Sequence, residues 1–181
     1  PKEEYKIVIE AHADEISWFV HYITKDGFIY LRRNGGSDHQ IAPSKRVNIH
    51  TAKGIVKAVF GWPAIHVREP GKEEQPSMKN LFLDCGVRSD KELEKLGVHV
   101  GCVVTYPDEF MVLNNNFFVG RALDNRMGGF MIAQVARLIK EKKTNDTKGF
   151  LFRLKPYYQK AIHPFQRCQV LLPYYITKWT I

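Results

Sequence analysis

Lys6-Ile7-Val8-Ile9-Glu10-Ala11-His12-Ala13-Asp14-Glu15 is the stretch on which the fold turns. Its apolar, β-branched run predicts a buried strand that delivers His12 at its end. His12 and Asp14 are two residues apart, so on extended backbone both side chains face the same way. A metal-binding histidine commonly donates its second ring N–H to a carboxylate, which fixes the tautomer and raises basicity. His-x-Asp at a strand end suits that pairing. Taken alone, the same pair also reads as a core histidine satisfied by a neighbouring acid. Glu15 either assists or faces solvent.

The counterpart of this stretch lies far along the chain, at Ala122-Leu123-Asp124-Asn125-Arg126. Beyond it, Met127, Phe130, Met131, Val135, Leu138 and Ile139 recur at helical spacing, predicting an amphipathic helix to about Lys143. Lys140, Lys142 and Lys143 suit the negative end of its macrodipole. Gly128-Gly129 weakens the first turns and is read as allowing close approach to a sheet or loop. Asp124 stands just before the helix, where its default role is an N-cap. A carboxylate bridging two zinc ions also sits well at such a boundary, because a rigid helix start holds it in place. The strand ending in His12 and the strand leading to this helix are expected to share one α/β sheet.

Between the two segments the pattern is β. Ser17 to Thr24 and Phe28 to Arg33 flank Lys25-Asp26-Gly27, and Val47 to His50 and Ile55 to Phe60 flank Lys53-Gly54, predicting two hairpins. Ala64 to Val67, Asn80 to Asp84 and Val98 to Tyr106 read as further strands. Ser89-Asp90-Lys91-Glu92 is a capping box opening a short helix that ends near Gly97. Phe110 to Leu113 and Phe117 to Gly120 pair across Asn114-Asn115-Asn116. Many short strands with one short helix predict a small β-barrel or sandwich over about residues 17–108. The fold class is therefore α/β, with a sheet and helix interrupted by a barrel-like insert. The segments are 1–16, 17–108, 109–145 and a divergent tail, 146–181.

The net charge of +8 belongs to that tail. Residues 1–139 carry 18 Lys+Arg against 17 Asp+Glu, whereas residues 140–181 carry 9 against 2. A nearly neutral domain with a basic end argues against nucleic acid as the partner. Cys85, Cys102 and Cys168 match no metal-ribbon spacing and read as reduced thiols of a cytoplasmic protein. The absence of an initiating Met, of a leader pattern and of an apolar run near ~18 residues predicts an internal piece of a soluble chain, with no membrane partner.

Glu10-Ala-His-Ala-Asp-Glu-Ile16, Asp26-Gly-Phe-Ile-Tyr-Leu-Arg-Arg-Asn-Gly-Gly36, Arg46-Val-Asn-Ile-His50, Lys53-Gly-Ile-Val56, Leu96-Gly-Val-His-Val-Gly101 and Val119-Gly-Arg-Ala-Leu-Asp-Asn-Arg126 occur in order. Together they resemble the cellulase M-like glutamyl/deblocking aminopeptidases, cytosolic metallopeptidases, from about Tyr5 to Lys143. The resemblance implies a partial di-zinc catalytic domain interrupted by a dimerisation insert. It implies dimers that assemble into a tetrahedral dodecamer, with short peptides as substrates. By position, His12 would be a zinc ligand, Asp14 the residue that orients it, and Asp124 the carboxylate bridging both metals. Asn125 would shape the backbone beside Asp124. Two ions, zinc or cobalt, are the implied cofactors. Ser17-Trp18 stands where many members have Gly and a smaller apolar residue, a difference that bears on substrate preference.

The family pattern continues with a Glu-Glu pair supplying the general base and a ligand, then a later Asp and His. This chain has no acidic residue after Asp146, and His163 is its only later histidine. The expected function is metal-dependent removal of N-terminal residues by zinc-activated water, with this chain inactive by itself. The charge jump near Asn145 is compatible with a shifted reading frame, which the encoding DNA would reveal. The alternative is a non-catalytic oligomerisation module derived from such an enzyme. Nucleic-acid binding by the Tyr- and Lys-rich tail ranks last.

Overall fold

The computed structural model describes residues 7–71, 74–115, 117–142, 150–155 and 175–178. Strand β1 (Ile7–His12) leads out of the first sheet, and the chain then enters a six-stranded closed barrel. The barrel strands are β2 (Ser17–Ile23), β3 (Ile29–Asn34), β4 (Arg46–Thr51), β5 (Gly54–Gly61), β6 (Phe82–Asp84) and β7 (Val103–Thr105). They run in the order β2-β3-β6-β5-β4-β7, and β7 closes on β2 with Trp18 opposite Val104. Alternate residues point inward, as the pleat requires. Trp18 and Val20, Ile29 and Leu31, Val47 and Ile49, and Ala58 and Phe60 are all buried and make one continuous core with Leu83 and Val104.

Trp18 belongs to that core. It is 2 % exposed and meets Phe60 and Tyr106 edge-on, with ring centroids 5.2 and 5.1 Å apart. Ser17 beside it is buried as well, at 2 % exposure. Helix α1 (Asp90–Leu96) closes one end of the core with buried Leu93. Ser89 Oγ accepts from the Glu92 N–H at 3.3 Å, and Glu92 Oε2 accepts from the Arg88 N–H at 3.0 Å. This is the reciprocal cap read from the sequence, shifted by one residue on its return bond. Gly97, at φ 85°, ends the helix.

Two strand assignments differ from the sequence reading. Ala64–Val67 is not a strand: Ile65–Val67 is a 3-10 turn with Ile65 and Val67 both exposed. Pro63 enters this segment, and apolar composition alone gives it no partner strand. Val98–Tyr106 is strand only over Val103–Thr105, because Gly101 turns left-handed at φ 96° and breaks the extended run.

The remaining elements are β8 (Met111–Leu113), β9 (Phe117–Gly120), helix α2 (Leu123–Lys142), β10 (Phe150–Lys155) and β11 (Tyr175–Lys178). β1 pairs in parallel with β10, from Ile7 opposite Phe150 to His12 opposite Lys155. β9 instead lies between β8 and β11 in an antiparallel sheet. The expected sharing of one sheet by β1 and the strand before the helix is therefore corrected. Parallel neighbours need a crossover, and α2, which packs on β1, supplies it to the strand that follows rather than the one before. The stripe on α2 is covered on one side only. Ile132 is buried and Met127, Val135 and Ile139 are half-buried, while Phe130, Met131 and Leu138 are exposed. Among the described residues no helix is long and apolar enough to cross a membrane.

Candidate functional site

The ends of β1 and β9 meet where the barrel leaves and rejoins the rest of the chain. His12, the last residue of β1, sits between two carboxylates, one two residues away in sequence and the other 112 residues away. Its Nδ1 lies 3.0 Å from Asp14 Oδ1, and its Nε2 lies 3.2 Å from Asp124 Oδ1. All three side chains are about one-third exposed, so the trio forms a shallow, reachable polar site. The structure thus brings together His12, Asp14 and Asp124.

The backbone explains how Asp124 reaches His12. Ala122 is buried at φ 60°, a left-handed turn that redirects the chain after β9. Asp124 (φ −89°, ψ 107°) is extended, and Asn125 (φ −126°, ψ 36°) is also outside the helical region. Regular helix begins only beyond them. The helix start is capped by Asn125, whose Oδ1 accepts from the Gly128 N–H at 3.0 Å. The default reading of Asp124 as N-cap is therefore corrected: its neighbour takes that task, and its own carboxylate turns to His12. Gly128 is required by this cap, since a Cβ there would lie 2.1 Å from Asn125 Oδ1. The close approach anticipated for the glycine pair is thus, at Gly128, to a local side chain.

The geometry imposes a chemical condition. With Nδ1 donating to Asp14, Nε2 presents a lone pair toward a carboxylate oxygen 3.2 Å away. Two acceptors face each other at that distance only with a proton or a metal ion between them. Two N/O donors on a tetrahedral zinc, each 2.0–2.1 Å from the ion, stand about 3.3 Å apart. His12 and Asp124 fit one edge of such a polyhedron. They do not complete it, because the described residues contain no group of three or more His, Cys, Asp or Glu side chains arranged to hold an ion. His163 lies outside the described residues.

Behind the trio lies a charged cluster that sequence reasoning missed. Arg121 Nε is 2.9 Å from Glu15 Oε2, out of line for an N–H hydrogen bond and hence an ion pair. Its Nη1 donates to Thr105 Oγ1 at 2.7 Å and to the Tyr106 carbonyl at 2.5 Å, and its Nη2 meets Asp108 Oδ1 at 2.5 Å. Arg126 adds a longer contact to Glu15 at 4.0 Å and donates to the Ala13 carbonyl at 3.2 Å. His50 Nε2 and Thr105 Oγ1 are 2.9 Å apart. Burial raises the Glu15 pKa, opposed by the charges of Arg121 and Arg126. Glu15 is thus not a solvent-facing residue, and its carboxylate pairs with Arg121. No spacing rule distinguishes Arg121 in the sequence, because its partners come from two segments distant from it and from each other.

Comparison with known proteins places this chain in a family. The model of the M42 glutamyl aminopeptidase family matches residues 1–154, eleven residues beyond Lys143, where the sequence resemblance ended. The FrvX protein of Escherichia coli (strain K12), named as an aminopeptidase, is 33 % identical over 136 residues, covering 74 % of this chain and 38 % of its own length. Among solved structures, the TET aminopeptidase of Thaumarchaeota archaeon SCGC AB-539-E09 superposes with a TM-score of 0.72 at 26 % identity, covering 80 % of this chain and 42 % of the other. The TET1 peptidase of Pyrococcus horikoshii gives 0.69 at 27 % identity, with 83 % and 45 % covered. The chain spans about two fifths of the length of these relatives. With the match extending over most of its residues, the chain belongs to the M42 glutamyl aminopeptidase family.

Proposed function

We propose that this chain carries one side of the metal site of an aminopeptidase that removes N-terminal residues from short peptides. His12 and Asp124 are the metal ligands on this side, and Asp14 orients the imidazole. The observation that supports this reading is Nε2 of His12 aimed at Asp124 Oδ1 across 3.2 Å while Asp14 occupies Nδ1. A zinc or cobalt ion held there would polarise a peptide carbonyl and acidify a water. The chain's own residues fix the direction of the imidazole and hold a negative charge opposite it. The later Glu-Glu pair that would supply the general base has no counterpart in these 181 residues, which carry no acidic residue after Asp146, so in this reading they bind metal without hydrolysing peptides.

In the same reading the barrel, residues 17–108, is the dimerisation insert, and residues 1–16 and 109–145 are the two parts of the catalytic domain. The Pyrococcus horikoshii TET1 relative assembles into a tetrahedron or a large octahedral shell, which supports a homo-oligomer here. A second reading, an assembly module without catalysis, draws on the completeness of the barrel, which holds the largest continuous core among the described residues. Calorimetric titration of the full chain with zinc chloride separates the two. Binding that His12→Ala abolishes supports the metal-site reading. Zinc affinity that is unchanged by His12→Ala, in a chain that forms dimers or larger species by light scattering, favours the assembly module.

A further inference from the structure

The three segments that converge on Arg121 are the ones whose relative placement defines the site. Glu15 follows the His12–Asp14 pair at the exit of β1. Thr105, Tyr106 and Asp108 form the end of the barrel, and Arg121 itself precedes Asp124 by three residues. Arg121 and Glu15 are among the less exposed charged side chains, at 14 and 17 %. One planar guanidinium reaches a carboxylate on the β1 side, a carboxylate on the barrel side, a hydroxyl and a backbone carbonyl. Glu15 and Asp108 repel each other without it, and Thr105 Oγ1 and the Tyr106 carbonyl each lose a donor.

We propose that Arg121 is the positioning residue of this site, a clasp that sets the separation of His12 and Asp124 by tying both their segments to the end of the barrel. The proposal rests on the reading of His12 and Asp124 as metal ligands. It assigns Arg121 no contact with metal or substrate. Lysine cannot replace it, because an ammonium is a compact point charge that does not span several fixed partners on two separate segments. Groups that hold ligands in place typically govern metal affinity by about 10–100-fold.

The test is zinc chloride titration of the full chain by calorimetry, with thermal unfolding measured on every variant. Arg121→Met is expected to raise the zinc Kd at least about tenfold, and Arg121→Lys to raise it in the same direction. Ile49→Val, a truncation inside the barrel and away from the clasp, is expected to lower the melting temperature while leaving the Kd within about twofold. Arg121→Met with wild-type affinity, beside a His12→Ala variant that has lost binding, overturns the clasp and leaves the metal site standing. Equal weakening by Ile49→Val and Arg121→Met also overturns it, since affinity then follows stability alone. If His12→Ala leaves affinity unchanged, the metal-site reading falls and the clasp with it. Should Arg121→Met lose its cooperative melt, Glu15→Gln carries the test, with an expected rise of about threefold or more. Wild-type affinity in that variant overturns the proposal.

Discussion

A helix usually gains from losing a glycine, and Gly128 is where this chain should do the opposite. Gly→Ala in a helix interior stabilises by about 0.5–1 kcal/mol through backbone entropy. Here the new Cβ would lie 2.1 Å from Asn125 Oδ1 and 2.8 Å from its Cγ, closer than real contacts allow. The Asn125 amide must leave. That removes the cap on the Gly128 N–H, at a cost of about 1 kcal/mol. It also displaces a half-buried polar group, costing about another 1 kcal/mol. The two losses outweigh the propensity gain, so Gly128→Ala should destabilise by about 1 kcal/mol, a fall of roughly 2–4 °C in Tm for a chain of this size. In an Asn125→Ala background the cap is already gone, and the same substitution should stabilise by about 1 kcal/mol. The coupling of about 2 kcal/mol is read from urea unfolding of the four proteins in the cycle. Gly128→Ala stabilising equally in both backgrounds would refute the cap and the account of the glycine.

Other substitutions probe the barrel and its surface. Phe60→Ala, at 1 % exposure and edge-on to Trp18, should cost about 3–5 kcal/mol in urea unfolding; a loss under 1 kcal/mol would deny Phe60 its place in the core. Ser89→Ala should cost about 1 kcal/mol by removing the acceptor for the Glu92 N–H, and Ser89→Asp should restore most of it. Burial, with a smaller push from Asp84, raises the Cys85 thiol to about 11. At pH 8 its thiolate fraction is then roughly a hundredfold below that of an unshifted thiol, and disulfide-reagent labelling should be correspondingly slow. Measured in a Cys102→Ala, Cys168→Ala background, that rate should climb about tenfold per pH unit up to about pH 10. A flat profile would contradict the shift.

The sequence made legible what depends on neighbours along the chain. The two hairpins, the capped helix at Ser89 and the strand delivering His12 all follow from periodicity and turn residues within a few positions. His12 and Asp14 were legible for the same reason, being two apart on extended backbone. Less legible was whatever depends on distant segments. Asp124 looks like a cap because it precedes a helix, and only the folded chain reveals that Asn125 caps and Asp124 turns away. The pairing of β1 with β10 was hidden because a parallel partner lies one crossover away, and Pro156 blurred that strand's end. Arg121 was invisible altogether, since its worth lies in where Glu15, Thr105 and Asp108 have been brought.

The barrel's closure resolves an apparent conflict in this design. His12 and Asp124 are 112 residues apart, and closing so long a loop by chance costs entropy that no single contact repays. The barrel makes that closure part of its own folding. Its first and last strands are hydrogen-bonded neighbours, with Trp18 opposite Val104 and Phe19 opposite Val103. The chain therefore leaves at Ser17 and returns at Thr105 roughly one strand spacing apart, about 4.8 Å. An insert whose ends coincide perturbs its host little, as short surface crossings between domains require. What remains to be fixed is the short run on either side, Ala13–Ile16 going out and Tyr106–Ala122 coming back. Arg121 grips both runs at once, through Glu15 on one and through Tyr106 and Asp108 on the other. Global unfolding of the barrel must therefore separate His12 from Asp124, whereas mild loosening of its interior leaves them facing each other.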